Sequence, residues 1–208
     1  MRWVIGMLSL WFGCGLLLGQ APLNDAQMAF LLKVSDQATE RPKVQVVYDP
    51  AYVVLPYPGG DVPADRGVCT DEVIRVYRKL GIDLQKEVHE DMKRNFGVYP
   101  KIWGLSRTDT NIDHRRVPNL RVFFARHGVK LPVTMNAKDY RAGELVTWDL
   151  PSGVPHIGML VQEKSADGER CLVVHNIGAG PQQEDVLFAF KITGHYRYFG
   201  PGRLEVGH

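Results

Sequence analysis

The sequence predicts an α+β fold in which N-terminal helices pack on a small antiparallel β-sheet, or half-barrel, of about five strands. Two observations carry this prediction. Apolar residues recur at helical spacing in the segments before Gly128, whereas later segments read as short strands separated by turns rich in Gly, Pro and Asp. The chain has 208 residues, 45% hydrophobic and 23% charged, which is typical of one globular domain and argues against disorder.

Helices are predicted over residues 25–39, 69–81, 84–95 and 118–128. Asp25 is a candidate N-cap for the first helix, and Gly81 is a natural end for the second. Pro118 fits the first turn of the last helix, which Gly128 closes. Residues 99–118 have little periodicity and predict a long loop, a kind of segment that often carries function.

Short strands are predicted over residues 144–148, 156–161, 171–177, 186–190 and 195–199. Because the helices precede the strands, the sheet is expected to be antiparallel. No internal repeat, low-complexity tract or linker divides the chain after its N-terminal segment.

Residues 1–21 predict a secretory signal peptide or an uncleaved N-terminal anchor. A basic Met1-Arg2 is followed by an uncharged, mostly apolar run over 3–18 and by small residues up to Ala21. The run is slightly short for a membrane span, which needs roughly 20 residues. Cys14 leaves a lipoprotein alternative open, although bulky residues precede it. Residues 22–208 are then expected to form a single domain that is periplasmic or secreted.

Cys69 is the leading candidate nucleophile. It stands where a loop rich in Gly, Pro and Asp meets the start of an amphipathic helix. Unpaired backbone N–H groups at a helix start favour a thiolate over a thiol, and they can also receive an oxyanion. The position therefore predicts a reactive sulfur that needs a base.

Two histidines on predicted strands are the candidate partners of Cys69. His156 opens its strand, and Gly158 on the same face leaves room beside the ring. His175 lies in an apolar run, so a buried ring there needs a hydrogen-bond partner. If the strands are neighbours, both rings can lie on one face and point at the helix of Cys69, as in Cys/His nucleophilic catalysis.

A disulfide between Cys69 and Cys171 is the rival hypothesis, since both cysteines remain after the N-terminal segment in an oxidising setting. Cys171 and His175 are four residues apart on one strand, a separation of roughly 13 Å. Bridged Cα atoms lie within about 7 Å of each other, so contact of Cys69 with His175 excludes the bridge.

The residues around these candidates resemble the motifs of NlpC-type cysteine peptidases, papain-like enzymes that cut cell-wall peptides. The run DRGVCTD at 65–71 resembles their nucleophile motif, and GELVTW at 143–148 and VPHIGM at 154–159 resemble their next strands. More closely, nearly the whole chain resembles a bacterial family known as domain of unknown function 1287, through YPGGDVP at 57–63, NIDHRRVPNL at 111–120 and ITGHYRY at 192–198.

The resemblance implies a papain-like fold with Cys69 as nucleophile, His156 as base and His175 as the group that orients the base. Asn176 is the alternative third group. Strand alternation sends His175 and Asn176 to opposite faces but does not decide between them, and the motif alignment favours His175. The usual Asp-Cys-Ser is replaced by Val68-Cys69-Thr70, so an acidic role beside the nucleophile would move to Asp65 or Asp71.

Further polar residues are weaker candidates for substrate binding. Asp113 and Arg115 lie in the long loop, where Arg115 or its neighbour could bind a carboxylate, although a structural salt bridge is an equal alternative. Asp61 could line the cleft or stabilise a turn. Asp65 and Asn176 complete the predicted set. No histidine or cysteine pair has a tight metal-ligand spacing, so neither a metal nor a cofactor is expected.

The expected function is an exported cysteine hydrolase that cleaves amide bonds, with peptidoglycan stem peptides or another envelope peptide as substrate. A non-catalytic envelope-binding or scaffold domain of the same fold and a thiol acyl or peptidyl transferase remain alternatives. The formal net charge of +2 gives no reason to expect a nucleic-acid partner. Membrane contact is expected only through an uncleaved N-terminal segment, and the sequence leaves the oligomeric state open.

Overall fold

A computed structural model describes residues 22–202, so the predicted signal or anchor over 1–21 lies outside the described residues. The helices in this range are α1 (Asp25–Thr39), α2 (Cys69–Lys79), α3 (Leu84–Arg94) and α4 (Val117–His127). The four predicted helices are confirmed. The cap of α1 is Asn24, whose side chain accepts from Gln27 N, and not Asp25 as predicted. Within residues 22–202 no helix is both long and apolar enough to cross a membrane.

The strands are β1 (Val47–Tyr48), β2 (Arg66–Gly67), β3 (Val129–Lys130), β4 (Leu145–Asp149), β5 (Pro155–Lys164), β6 (Cys171–Asn176), β7 (Pro181–Glu184) and β8 (Lys191–Arg197). The last six form one sheet in the order β3-β8-β4-β5-β6-β7, and every neighbouring pair is antiparallel. The predicted α+β class and antiparallel sheet are therefore confirmed, and the sheet is open. The strands β1 and β2 form a separate parallel pair that brings Tyr48 beside the loop before Cys69.

The predicted strand over 186–190 is wrong. The strand in this region is the earlier and more polar β7, whereas residues 187–190 form a turn. The apolar residues of the turn cover one face of the sheet: Leu187 is fully buried, and its carbonyl accepts a hydrogen bond from the Trp148 indole at 2.9 Å. An apolar run can thus close a core without pairing, while an edge strand such as β7 needs few apolar residues.

Apolar side chains fill both faces of the sheet. Ile157, Met159 and Val161 of β5 face the helices and share one buried cluster with residues of all four. The alternate residue Leu160 packs with Trp148 and Cys171 in a second cluster on the other face. Period-two alternation along β5 therefore sorts its side chains between two cores.

Gly143, just before β4, lies where the backbone of α1 packs closely against the chain entering the sheet. Its φ is +84°, and a Cβ atom at this position would lie 2.1 Å from the carbonyl oxygen of Leu31 in α1. Only a residue without a side chain can adopt this φ at no steric cost while the two backbones approach so closely.

We expect Gly143→Ala to lower the free energy of unfolding by about 3 kcal/mol or more, because it adds a backbone clash to the cost of a left-handed conformation. Gly153→Ala is the matched control, since Gly153 has a φ of +78° but nothing lies within 4 Å of an added Cβ. The control should lose only about 1 kcal/mol. Chemical denaturation of both variants measures the difference, and equal losses would contradict the close packing of Gly143.

Candidate functional site

Cys69 lies at the edge of an open groove. It is the first residue of α2, and a cavity of about 400 Å³ opens beside it. The lining comes from Tyr48, Pro50, Val68, Cys69, Thr70, Ile102, Trp103, Ile112, Arg115, Arg116, Val117, Pro118, Val154 and Pro155. The groove is therefore built from the α2 start, the parallel strand pair, the long loop and the beginning of β5.

A buried carboxylate fixes the start of α2. Asp71 accepts from the backbone N–H of Val68 at 2.7 Å, and both of its oxygens accept from the guanidinium of Arg115 at 2.8 and 3.0 Å. The Thr70 hydroxyl donates to the Arg115 carbonyl at 3.1 Å. These bonds tie the long loop to the turn that carries Cys69, so the sulfur position depends on the loop.

The Cys69 sulfur lies next to the first part of β5. Burial raises the pKa of Cys69 to about 12, although backbone N–H groups of Ile157, Thr70 and Cys69 itself lower it. The thiolate expected from the helix start is therefore not the resting form, because loss of hydration outweighs the donors around the sulfur. The resting side chain is a neutral thiol.

Both cysteines in the described range are free and buried. Cys69 packs in the helix-side cluster, while Cys171 packs in the cluster on the other face and accepts a hydrogen bond from Lys164 Nζ at 3.3 Å. The sheet separates the two sulfurs, so the Cys69–Cys171 bridge is absent from this structure.

Three side chains on adjacent strands form a continuous hydrogen-bonded chain. His156 Nε2 lies 3.0 Å from His175 Nδ1, and His175 Nε2 lies 2.9 Å from Glu184 Oε2. The two rings are buried, whereas the Glu184 side chain is 47% exposed. The chain therefore runs from solvent at β7 to the buried end of β5.

The charge on Glu184 sets the direction of these hydrogen bonds. A carboxylate only accepts, so His175 donates through Nε2 and accepts through Nδ1. His156 must then donate through Nε2, which leaves its Nδ1 as the basic nitrogen. The arrangement thus fixes His156 in the tautomer that can remove a proton from a thiol.

Burial keeps both imidazoles neutral. It lowers the pKa of His156 to about 3, with the neighbouring His175 adding to the shift. It also lowers the pKa of His175, and the Glu184 carboxylate opposes that shift. A neutral imidazole is the form that acts as a base.

Gly158 permits the two rings to meet. A Cβ atom there would lie 2.7 Å from a methyl group of Val173 and 3.2 Å from the Cβ of His175. The register between β5 and β6 pairs Met159 with Val174, and continuing it by one residue sets Gly158 opposite His175. A side chain at Gly158 would therefore clash with β6 at Val173 and His175 and would displace the His175 ring from His156.

The predicted orientation of the rings toward the helix needs correction. His156 pairs with Trp148, which packs on the sheet face away from the helices, whereas Ile157 faces them. Among residues 22–202 no hydrogen bond joins Cys69 to His156; the sulfur instead interacts with the N–H of Ile157, the next residue.

His175, and not Asn176, contacts His156. The Asn176 amide points to the opposite face, where it donates to the Gly67 carbonyl at 3.5 Å and accepts from Gly178 N at 3.2 Å. Asn176 therefore braces the loop that leads to Cys69. Of the two candidates for the third group, His175 has the geometry to orient the base.

The predicted substrate-binding residues are dispersed. Asp61 pairs with Arg75 and Arg78 along α2, and Asp65 lies on the surface near Arg66. Neither lines the groove of Cys69.

The two candidates from the long loop are buried and bonded. Asp113 accepts from Asp109 N at 2.7 Å and lies 3.1 Å from His89 Nδ1. Arg115 lines the groove, but its guanidinium is held by Asp71 and by the Ala51 carbonyl. Both residues therefore serve the loop structure.

Sequence reasoning missed Glu184, Tyr48 and Trp103, which the fold brings to the histidine chain or to the groove. Glu184 follows two glutamines in an edge strand with no recognisable motif, so only strand pairing reveals it. Arg116 was visible only as part of a basic pair whose members the sequence does not distinguish. In the described range no group of three or more His, Cys, Asp or Glu side chains is arranged to hold a metal ion.

The chain is similar to known proteins. A family model described as "Domain of unknown function (DUF1287)" matches residues 35–198. The "Uncharacterized protein YijF" of Escherichia coli (strain K12) is 54% identical over 168 residues, which are 81% of this chain and 82% of that protein.

Two solved structures from Trichomonas vaginalis are also similar. NlpC1 is 14% identical with a TM-score of 0.43 over 86% of this chain, and NlpC2 is 16% identical with a TM-score of 0.43 over 81%. The matched region spans 46% of each of those chains. The family match and the bacterial relative confirm the resemblance noted in the sequence: the chain belongs to the family described as Domain of unknown function (DUF1287).

Proposed function

We propose that the protein is an exported cysteine hydrolase that cleaves amide bonds, with stem peptides of peptidoglycan as its substrate class. The observation that carries the proposal is the hydrogen-bonded chain from Glu184 through His175 to His156, the residue directly before Ile157, whose backbone N–H acts on the Cys69 sulfur at the edge of an open groove. A thiol, a base and an orienting group are the parts that nucleophilic acyl transfer requires.

The neutral resting state favours attack assisted by a general base over a preformed thiolate–imidazolium pair. On binding of substrate, the Cys69 side chain turns toward His156 Nδ1, which takes the proton as the sulfur forms a bond to the carbonyl carbon. The carbonyl electrons move to oxygen. Collapse of this intermediate breaks the C–N bond, and the leaving amine takes the proton from His156.

The resulting thioester is hydrolysed by a water molecule that His156 deprotonates, which regenerates the thiol. His175 and Glu184 stabilise the imidazolium that forms twice in this cycle, because the proton on His156 Nδ1 is matched by the carboxylate at the far end of the chain.

Backbone donors at the start of α2 are suited to receive the oxyanion. The N–H groups of Asp71 and Glu72 bond to the Val68 carbonyl, which leaves those of Cys69 and Thr70, beside the sulfur, as the donors for the oxyanion. Fixed donors beside the reacting carbon stabilise developing negative charge without reorganisation.

Export and an envelope substrate are supported by the N-terminal pattern over 1–21 and by the motifs around Cys69. A second candidate, a non-catalytic envelope-binding domain, is favoured by one observation: burial raises the pKa of Cys69, and its sulfur makes no hydrogen bond to His156 in the described range. Loss of activity on substitution of Cys69 distinguishes the two.

We expect Cys69→Ser to reduce the digestion of purified peptidoglycan by about 1000-fold or more, because the weaker acid cannot be activated by the same base. Mass analysis of released fragments measures the loss and identifies the bond. Cys171→Ser is the control and should retain activity. Undiminished digestion by Cys69→Ser would end the enzyme proposal.

Alkylation of Cys69 by iodoacetamide should be slow at pH 7 and rise about tenfold per pH unit up to pH 10. The raised pKa of Cys69 leaves almost no thiolate at neutral pH, so the rate should fall about 1000-fold below that of free cysteine. Peptide mapping of the intact protein by mass spectrometry reads this residue alone. A plateau between pH 6 and 8 would instead reveal a preformed thiolate.

Glu184→Gln should lower kcat by about tenfold and leave KM unchanged, because the amide supports the imidazolium poorly but does not touch the groove. Glu163→Gln removes an exposed carboxylate from β5 and is the matched control. The ¹⁵N chemical shifts of His156 should also report a mixture of tautomers in Glu184→Gln. If kcat and the His156 tautomer were both unchanged, the Glu184 carboxylate would have no role in orienting or stabilising the base.

A further inference from the structure

The charged side chains that line the groove beside Cys69 are basic. Arg115 and Arg116 are the charged residues among those that line it in the described range, and no aspartate or glutamate lines it. The charge that a substrate meets therefore depends on how each guanidinium is already bonded.

Arg115 is fully committed inside the protein. Its side chain is 2% exposed, and it donates to both oxygens of Asp71 and to the Ala51 carbonyl. A buried ion pair of this kind presents no net charge to a ligand, and each nitrogen of the guanidinium already donates one hydrogen bond.

Arg116 is the opposite case. Its guanidinium carbon lies 4.0 Å from the centre of the Trp103 ring, and its Nη1 atom is buried with no hydrogen-bond partner in the described residues. None of the ion pairs in that range includes Arg116; the nearby Asp113 is bonded to His89 and Asp109 instead. Because Nη1 itself is buried, an incoming anion would meet the rest of this partly exposed guanidinium, whose charge no ion pair in the described range neutralises.

Trp103 prepares this side chain for binding. Stacking on the indole holds the guanidinium flat and restrains its rotation, so that one edge with two N–H groups can face a planar acceptor. Ile102 is 70% exposed and Trp103 is 38% exposed, so the same segment offers apolar surface next to the charge.

We propose that Arg116, held on Trp103, is a subsite for a carboxylate of the substrate, close to the amide that Cys69 attacks. The substrate class is then a peptide with a free carboxylate beside the scissile bond. This subsite rests on the proposed function for its place in a reaction, but the recognition of an anion in the groove can be tested without hydrolysis.

The test compares two reagents that alkylate the same sulfur. Iodoacetate carries the carboxylate, and iodoacetamide is its neutral counterpart. The ratio of their rates at Cys69 is measured at pH 9 and low salt on the full chain by peptide mapping. Because both reagents react with the same sulfur, a change in the reactivity of the thiol cancels in the ratio. The ratio therefore measures how strongly the groove favours a carboxylate over a neutral amide.

Arg116→Gln should lower this ratio by about fivefold or more, while the iodoacetamide rate stays within twofold of the unsubstituted protein. Arg107→Gln is the matched control: it removes the same charge from an exposed site of the same loop that does not line the groove, and its ratio should stay within about twofold. Arg116→Lys keeps the positive charge but replaces the planar guanidinium, and Trp103→Leu keeps Arg116 but removes the ring that holds it. Each substitution should lower the ratio by about twofold.

An unchanged ratio in Arg116→Gln would overturn the subsite, as would an equal fall in Arg107→Gln, which would show only a long-range field. If Arg116→Gln fails to fold, the other two substitutions carry the test, and unchanged ratios in both overturn it. A native Cys69 that neither reagent modifies, while the denatured chain reacts, would also overturn it. A protein that shows the fall in ratio but digests no peptidoglycan would retain the anion subsite and lose the hydrolase proposal.

Discussion

The buried pair of Asp71 and Arg115 is the interaction on which the site depends. One carboxylate caps the backbone before Cys69 and grips a guanidinium from a loop more than forty residues away in the chain. Removing one partner of such a pair strands the other as an unpaired buried charge, which typically costs about 3–5 kcal/mol. The Cys69 turn and the groove wall are thus held by the same bonds, at the short 3-10 helix Asp113–Arg115 within the loop.

Burial and polarity act against each other around the nucleophile. The helix start supplies N–H groups that favour a thiolate, yet burial raises the pKa of Cys69 further than these donors lower it. The same burial lowers the pKa of both histidines, so acid and base are each in the neutral form. A single half-exposed carboxylate, Glu184, then determines which ring nitrogens of His175 and His156 donate and which accept. Reactivity in this arrangement depends on substrate bringing thiol and imidazole together.

Much of the fold follows from local pattern, and the exceptions have physical causes. The four helices were predicted because apolar spacing and end signals such as Gly81 and Pro118 are local. The strand at 186–190 was misplaced because an apolar pentapeptide can bury its side chains in a turn, and β7 was missed because an edge strand needs little apolar content. Alternation allowed His156 to contact His175 only if their strands were neighbours, which the pairing of β5 with β6 establishes. That both rings face away from the helices required the register of His156 with Trp148.

The sequence by itself determined the four helices, the sheet strands β4, β5, β6 and β8, the helix start at Cys69 and the two candidate histidines, because each depends on residues close together in the chain. Only the tertiary structure decided which arginine is free. Arg115 and Arg116 are adjacent and chemically identical, yet one turns inward to Asp71 and the other lies on Trp103 at the groove. Likewise, Glu184 becomes part of the site only through pairing of β6 with β7. Strand pairing and side-chain burial depend on segments that are distant in the chain, so the local sequence pattern cannot predict them.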